Sequence, residues 1–319
     1  MSTRSAGLDE AVARLSAGAR RWTGVHAAFL DSPAGRAELP VLPRVKALLQ
    51  LAMLRRSWER CAPGDPYLAR VTEVVEQVWR DPDFPRLLTL EGRHARQFEL
   101  MYAALDPAGA VTGAPRAVRD RLAAGSYLAP GRKPPFLHLE ARFYADVAGV
   151  AHRFAPYEEL YAASPLPRAA TLPAADLDGC QVAHTLCYLG DFGLRGLPLP
   201  EDERGRALRV VERLTEHCVA LGDWDVTAKL LLAQYCLGAD PLRTPSGAAG
   251  LRMLCAAQAP DGAVPGRSAA ERAAADATPV ERFRKSYKVT LVVALMTLVV
   301  TGGRTGEPAL TAATAQREN

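Results

Sequence analysis

The sequence contains no CxxC pair among its six cysteines, Cys61, Cys180, Cys187, Cys218, Cys236 and Cys255. That removes the zinc-ribbon and thioredoxin-like readings, and most of these thiols sit in apolar helical runs where cysteine behaves as a small hydrophobe. Long hydrophobic runs are missing too. The most apolar stretch, Val289 to Val300, is 12 residues long, where a membrane span needs about twenty, so it reads as a buried helix. The first residues, MSTRSAGLDEAVARL, lack the apolar core of a signal peptide. Together with the unpaired cysteines this gives a reducing cytoplasm as the expected location. There is little excess charge of one sign: 39 Lys and Arg against 35 Asp and Glu leave +4, spread without a dense basic run, so neither nucleic acid nor a membrane is an expected partner. Lysine itself is scarce, five of the 39, and with abundant alanine this reflects a GC-rich coding sequence more than a ligand. Also missing are GxGxxG after a strand, GKS or GKT, HExxH, GxSxG and any Cys/His set at zinc spacing. Nucleotide-dependent transfer, hydride transfer and zinc hydrolysis lose their usual signatures, and no cofactor, structural metal or disulfide is expected. A discontinuous metal site on facing helices would leave no such motif.

What remains is a chain of 319 residues, 49% hydrophobic and 23% charged, rich enough in apolar side chains to bury a substantial core. Period-two alternation is absent while helical stripes recur, so the expected fold is all-α. The periodicity predicts helices at 8–20, 41–60, 67–80, 85–105, 115–124, 136–152, 176–190, 201–221, 223–237, 247–258 and 280–301. Proline and glycine clusters punctuate them, as in Ala62-Pro63-Gly64-Asp65-Pro66 and Pro130-Gly131-Arg132-Lys133-Pro134-Pro135. One helical domain over 1–302 is expected, with a natural break point near 163–175 and a flexible tail at 303–319. Ser268 to Thr278 reads as a mobile loop or a short exposed helix.

Several helices of the second half close on a glycine corner, at Leu189-Gly190, Leu221-Gly222, Leu237-Gly238 and Asp261-Gly262. Helix pairs repeated in this way must stack on neighbours to bury their apolar faces, so antiparallel pairs stacked as an α/α toroid or a solenoid-like domain are expected. The segment Gly250 to Val264, with Leu251, Gln258, Asp261 and Gly262, resembles the Leu…Gln…Asp-Gly corner repeat of the terpene-cyclase and protein-prenyltransferase α/α toroids. The family's aromatic after Asp-Gly is absent, with Val264 nearby, and neither the Asp-rich acid motif of the cyclases nor the zinc ligands of the prenyltransferases can be placed. The resemblance implies the helical fold and only that. The Arg- and Ala-rich composition resembles that of helical proteins from actinobacterial natural-product gene clusters.

Four segments carry candidate chemistry. On a helix through Asp178 to Gly193, His184, Tyr188 and Asp191 fall on one stripe at i, i+4 and i+7. An imidazole, a phenol and a carboxylate pointing together would suit acid–base catalysis; a satisfied interhelical hydrogen bond and a helix-end aspartate are the alternative. In Gly222-Asp223-Trp224-Asp225, Asp223 is placed as an N-cap and Asp225 as a dipole partner, while in a functional reading Trp224 is a pocket wall and the carboxylates bind substrate. Glu140 opens towards Tyr144 on the helix after Pro135, beside the His138 and Arg142 pair. Finally, Arg284 and Lys288, with Tyr287 between them, precede the most apolar helix. A cationic first turn opposes the helix dipole unless an anion is held there, and a solvated helix start is the alternative.

Two functions follow from different classes. The first is a cofactor-independent biosynthetic enzyme that closes a ring in a small or carrier-tethered intermediate, by acid–base catalysis or by displacement of an anionic leaving group. His184, Tyr188 and Asp191 would be catalytic, and Trp224, Asp223, Asp225, Glu140, Tyr287, Arg284 and Lys288 substrate-binding. The second is a non-catalytic helical scaffold that serves a partner enzyme. A polar cavity favours the first and an open apolar face rimmed by arginine the second.

Overall fold

The computed structural model describes residues 2–80, 95–105, 127, 133–149, 151–267 and 273–302. The helix expected at 115–124, the first half of that at 85–105, part of Ser268 to Thr278 and the tail at 303–319 lie outside the described residues. Within them the chain is all-α, with no strand.

In chain order the helices are α1 (Ser2–His26), α2 (Pro33–Glu38), α3 (Val41–Cys61), α4 (Pro66–Arg80), α5 (Ala95–Leu105), α6 (Pro135–Val147), α7 (Tyr157–Ala163), α8 (Gly179–Leu189), α9 (Glu201–Ala220), α10 (Trp224–Cys236), α11 (Pro245–Ala257) and α12 (Pro279–Gly302). Two of these, α2 and α7, lack the length for a periodic stripe, and their signals are local. Ser32 caps α2, its Oγ accepting from Gly35 N–H at 3.0 Å, with Pro33 at the first position. A proline before α7 is followed by Glu158 and Glu159 in the first turn. The helix expected to reach 152 stops at Val147.

Two helices form the interior. From Val289 to Val300 nearly every side chain of α12 is buried, because α1, α3 and α10 surround it. This helix has the length and composition of a membrane span, but most of that stretch is covered by the rest of the fold, as in a core helix that is apolar all round. The second is α10, packed on α8, α9, α11 and α12. Gln234, fully buried in α10, is satisfied by donating to Thr215 Oγ1 of α9 at 3.0 Å and to Ser246 Oγ of α11 at 3.2 Å. It also accepts from Thr244 Oγ1 at 2.9 Å. A buried amide that meets its partners fixes the register of three helices, since any slip would orphan it.

Short corners aim the starts of these helices. Gly222, at φ +64°, turns the chain from α9 into α10 and lets Asp223 cap the new helix, its Oδ1 accepting from Val226 N–H at 3.2 Å. Asp178 does the same for α8 through Gln181 N–H at 3.1 Å. Gly179 has no room for a side chain, since a Cβ there would lie 2.8 Å from Val226 Cγ1. The first turn of α8 therefore sits close on the first turn of α10.

Candidate functional site

Between the first turn of α10 and the second and third turns of α12 lies a cavity of about 770 Å³. One wall carries Asp223, Asp225 and Val226, the other Arg284, Lys285, Tyr287, Lys288 and Val289, and Gly266 with Arg267 closes the side. Five of the residues singled out in the sequence meet here, namely Asp223, Asp225, Arg284, Tyr287 and Lys288, from segments about sixty positions apart.

The electrostatics of this cavity centre on Asp225. Its Oδ2 lies 2.8 Å from Lys288 Nζ and its Oδ1 3.0 Å from Lys229 Nζ, one helical turn along α10. Burial alone would raise this carboxyl, but the two ammonium groups outweigh it and hold the acid below its ordinary value. Asp223 divides its oxygens between the helix cap and Arg267, whose Nη1 is 3.6 Å from Oδ2. Arg284 donates to Glu281 at 3.1 Å. The expectation of a cationic first turn is corrected here: α12 begins at Pro279 and its first turn contains Glu281, so the cations stand further along and oppose the dipole less. An anion site must be argued from the cavity. Tyr287 borders the space; its ring stacks on Phe283 with centroids 5.4 Å apart, and its hydroxyl donates to Pro43 O at 3.4 Å.

The stripe His184, Tyr188, Asp191 does not form. Gly190 ends α8, and Asp191 starts a 3-10 turn at φ +49°, which swings its carboxylate onto Arg56 of α3; Oδ2 accepts from Nη2 at 2.7 Å and Oδ1 from Nη1. Tyr188 is buried and donates to Glu140 Oε1 at 3.0 Å. Glu140, 5% exposed, is already engaged: its Oε2 accepts from Tyr127 at 2.7 Å and from Arg96 Nε at 2.7 Å. Burial, with the Glu140 charge added, drives the Tyr188 phenol well above its ordinary range. Trp224 leaves the cavity as well; its indole N–H donates to Pro265 O at 2.9 Å and the ring packs against the core. On α6, Arg142 reaches the carbonyls of Phe154 and Ala155, and His138 meets the Phe154 ring edge-on.

His184 remains between these two regions, its ring 5.9 Å from that of Tyr188 and 6.4 Å from that of Phe136. Burial first, then the Lys229 charge, lowers its pKa from 6.5 to about 4. The folded protein therefore refuses a proton that the unfolded chain accepts, and the His184 contribution to stability should fall as pH drops from about 6.5 to about 4 and level off below. Urea midpoints at unit pH intervals should show a slope of up to about 1.4 kcal/mol per pH unit that is missing in His184→Gln. Equal slopes in both proteins would refute the assignment.

Lys229 of this region escaped the sequence reading. Lys229, 9% exposed at its side chain, is i+4 from Asp225, a spacing that was readable but hidden in an apolar run. Its Nζ is also 3.6 Å from Cys180 Sγ; burial raises that thiol while Lys229 opposes the rise. Among the described residues no three His, Cys, Asp or Glu side chains are placed to hold a metal ion.

No curated protein and no solved structure matches the chain. Residues 16–298 match the family described as a domain of unknown function, DUF6895. That match takes in the interior helices and both walls of the cavity, and the chain belongs to the DUF6895 family.

Proposed function

We propose that the protein is a cofactor-independent enzyme that holds a small anionic substrate in the cavity between α10 and α12 and closes a ring on it by displacing an anionic leaving group. One observation carries this reading: a cavity of small-molecule size that faces Arg267, Arg284, Lys285 and Lys288 with Asp223 and Asp225. The cations would stabilise the charge that develops on the leaving group. An amine of the same molecule forms the new carbon–nitrogen bond as the bond to the leaving group breaks, and the departing anion takes the electron pair. Asp223, on the opposite wall, would receive the proton the amine loses. Asp225, fixed between two lysines, positions Lys288. Proximity within one substrate supplies much of the rate. Glu140 and Tyr188 tie α6 to α8 outside the cavity. The scaffold alternative gains nothing comparable: Val25, Val41, Leu172 and Leu221, the exposed large hydrophobics among the described residues, lie on four separate segments.

The test is a thermal-shift screen of small anions, cations and neutral compounds against the wild type and Arg284→Gln. Anions should raise Tm in the wild type and lose most of that effect in the variant. With a turned-over hit in hand, Asp223→Asn should bind it and react at least about a hundredfold more slowly. Hits that are neutral or cationic, or that ignore the variant, would overturn the reading.

A further inference from the structure

We infer that Cys180 and Lys229 form a redox-linked pair: hydrogen peroxide oxidises the thiol to a sulfenic acid, and the neighbouring amine captures it as a sulfenamide that joins α8 to α10. The contact between the two side chains comes first. Lys229 Nζ lies 3.6 Å from Cys180 Sγ, close to the separation of about 3–3.5 Å at which two groups are poised to react. The amine is held in place, with a side chain 9% exposed and Asp225 Oδ1 on the same nitrogen at 3.0 Å. Cys180 is half-buried, so a small oxidant reaches it. A bulky one does not fit between the helices, because a Cβ on Gly179 would already lie 2.8 Å from Val226 Cγ1. Peroxide is of water size, and the link it produces adds no atom to this tight contact.

The other thiols lack this arrangement. Cys187, Cys218 and Cys236 are buried, and Cys61 and Cys255 are half-buried. The cations acting on those last two are Arg60 and Arg14, and a guanidinium, which keeps its proton, does not attack a sulfenic acid. Burial raises the Cys180 thiol while Lys229 opposes the rise, and its place as the second residue of α8 puts it in the positive field of a helix start. Oxidation at Cys180 is therefore distinguished by capture and not by speed.

The chemistry balances in two steps. The O–O bond of peroxide breaks as sulfur gives up an electron pair, so that thiol and peroxide become sulfenic acid and water. Nζ then bonds to Sγ as the S–O bond breaks. The ammonium loses two protons, one leaving with the hydroxyl as a second water and the other passing to solvent. Peroxide is the sole oxidant, and sulfur is the atom oxidised. The product nitrogen is neutral at physiological pH, so Asp225, which lines the cavity, loses one of the two ammonium groups that hold its carboxyl down. In this way the oxidation state of Cys180 reaches the cavity wall. The link itself forms whether or not that cavity is a substrate site.

The experiment is peptide mapping by mass spectrometry after the full chain is treated with hydrogen peroxide and its remaining thiols are alkylated. Lys229→Arg and Cys180→Ser are run alongside, with each variant's Tm recorded to show that it folds. The wild type should yield the Cys180 and Lys229 peptides joined with the loss of two hydrogens, released by dithiothreitol and absent from both variants. Cys61 and Cys255 in the same digest should join to no lysine. Dimedone, which traps sulfenic acids, should label Cys180 at least about threefold more in Lys229→Arg than in the wild type, since arginine keeps the charge and cannot capture. Cys180 recovered as a sulfinic acid or a disulfide with no lysine link would overturn the pair, as would a Cys180 that peroxide leaves untouched. A link carrying an added oxygen would overturn the sulfenamide, and equal dimedone labelling would overturn capture by Lys229. The wild-type digest decides the matter even where a variant fails to fold.

Discussion

Gly262→Ala is expected to lower stability by about 3 kcal/mol or more, among the largest effects of any single methyl group in this chain. Gly262 has φ +100°, a conformation that strains any L side chain by about 1–2 kcal/mol. A Cβ there would also lie 2.3 Å from the carbonyl oxygen of Gly18 in α1, and a backbone atom in mid-helix cannot step aside. The surrounding hydrogen bonds show what the close approach achieves. Gln258 donates from Nε2 to its own corner at Gly262 O, 3.0 Å, and to Leu15 O of α1, also 3.0 Å. Ala263 N–H reaches Asp261 Oδ1 at 2.9 Å. The Gln…Asp-Gly segment is thus a clip that seats the end of α11 on α1. Two comparisons isolate the terms. Gly222→Ala carries positive φ but has open space, and should cost about 1–2 kcal/mol. Gly64→Ala, with nothing within 4 Å and no such φ, should fall within about 0.5 kcal/mol of wild type. Urea midpoints at unchanged m-value decide the matter, and a cost at Gly262 no larger than at Gly222 would mean that α1 yields.

The same clip shows what the sequence could and could not reveal. The Asp-Gly step and the helix before it were readable because glycine and an Asx turn act over a few residues. That the corner lands on Gly18 was not, since the contact spans more than 240 positions. Helical periodicity marked α3, α9, α10 and α12 because each buries a stripe or a whole surface, and Asp223 was readable as a cap because capping depends on its own N–H neighbours. The stripe through Asp191 failed on a local detail. Counting i+7 assumed that the helix ran past Leu189, whereas Gly190 stops it and positive φ at Asp191 and Phe192 turns the chain towards Arg56. The cavity was half legible: both of its walls stood out as charged segments, but only the packing of α10 on α12 brings them together. Lys229 was overlooked because a lone lysine among leucines carries no motif, and its meaning depends on Cys180 and Asp225 beside it.

Glu140 gives the second large effect and the sharpest contrast between a binding and a packing role. Its carboxylate is buried among Arg96 of α5, Tyr127, and Tyr188 of α8, so Glu140→Ala would leave the Tyr188 phenol and the Arg96 guanidinium without their acceptor, while Tyr127 keeps Leu137 O at 3.3 Å. Each buried donor left unsatisfied costs about 1–3 kcal/mol, and removing one partner of a buried ion pair about 3–5 kcal/mol. The Arg96 side chain is 36% exposed and regains water when the carboxylate goes, so the lower part of that range applies and about 3 kcal/mol is expected. Tyr188→Phe removes one donor and leaves Glu140 its others; it should cost about 1 kcal/mol. Glu140→Gln keeps the volume and one acceptor but loses the charge that Arg96 faces, and should lie between the two. Chemical denaturation of the three variants gives this order if the group is a structural tie between α5, α6 and α8. A carboxylate reserved for substrate would behave in the opposite way, with Glu140→Ala holding its midpoint and losing ligand, because a buried acid with no partner is relieved by its own removal. The geometry requires the first result: four hydrogen bonds already converge on this carboxylate, and a substrate would have to displace Arg96 or a phenol to reach it.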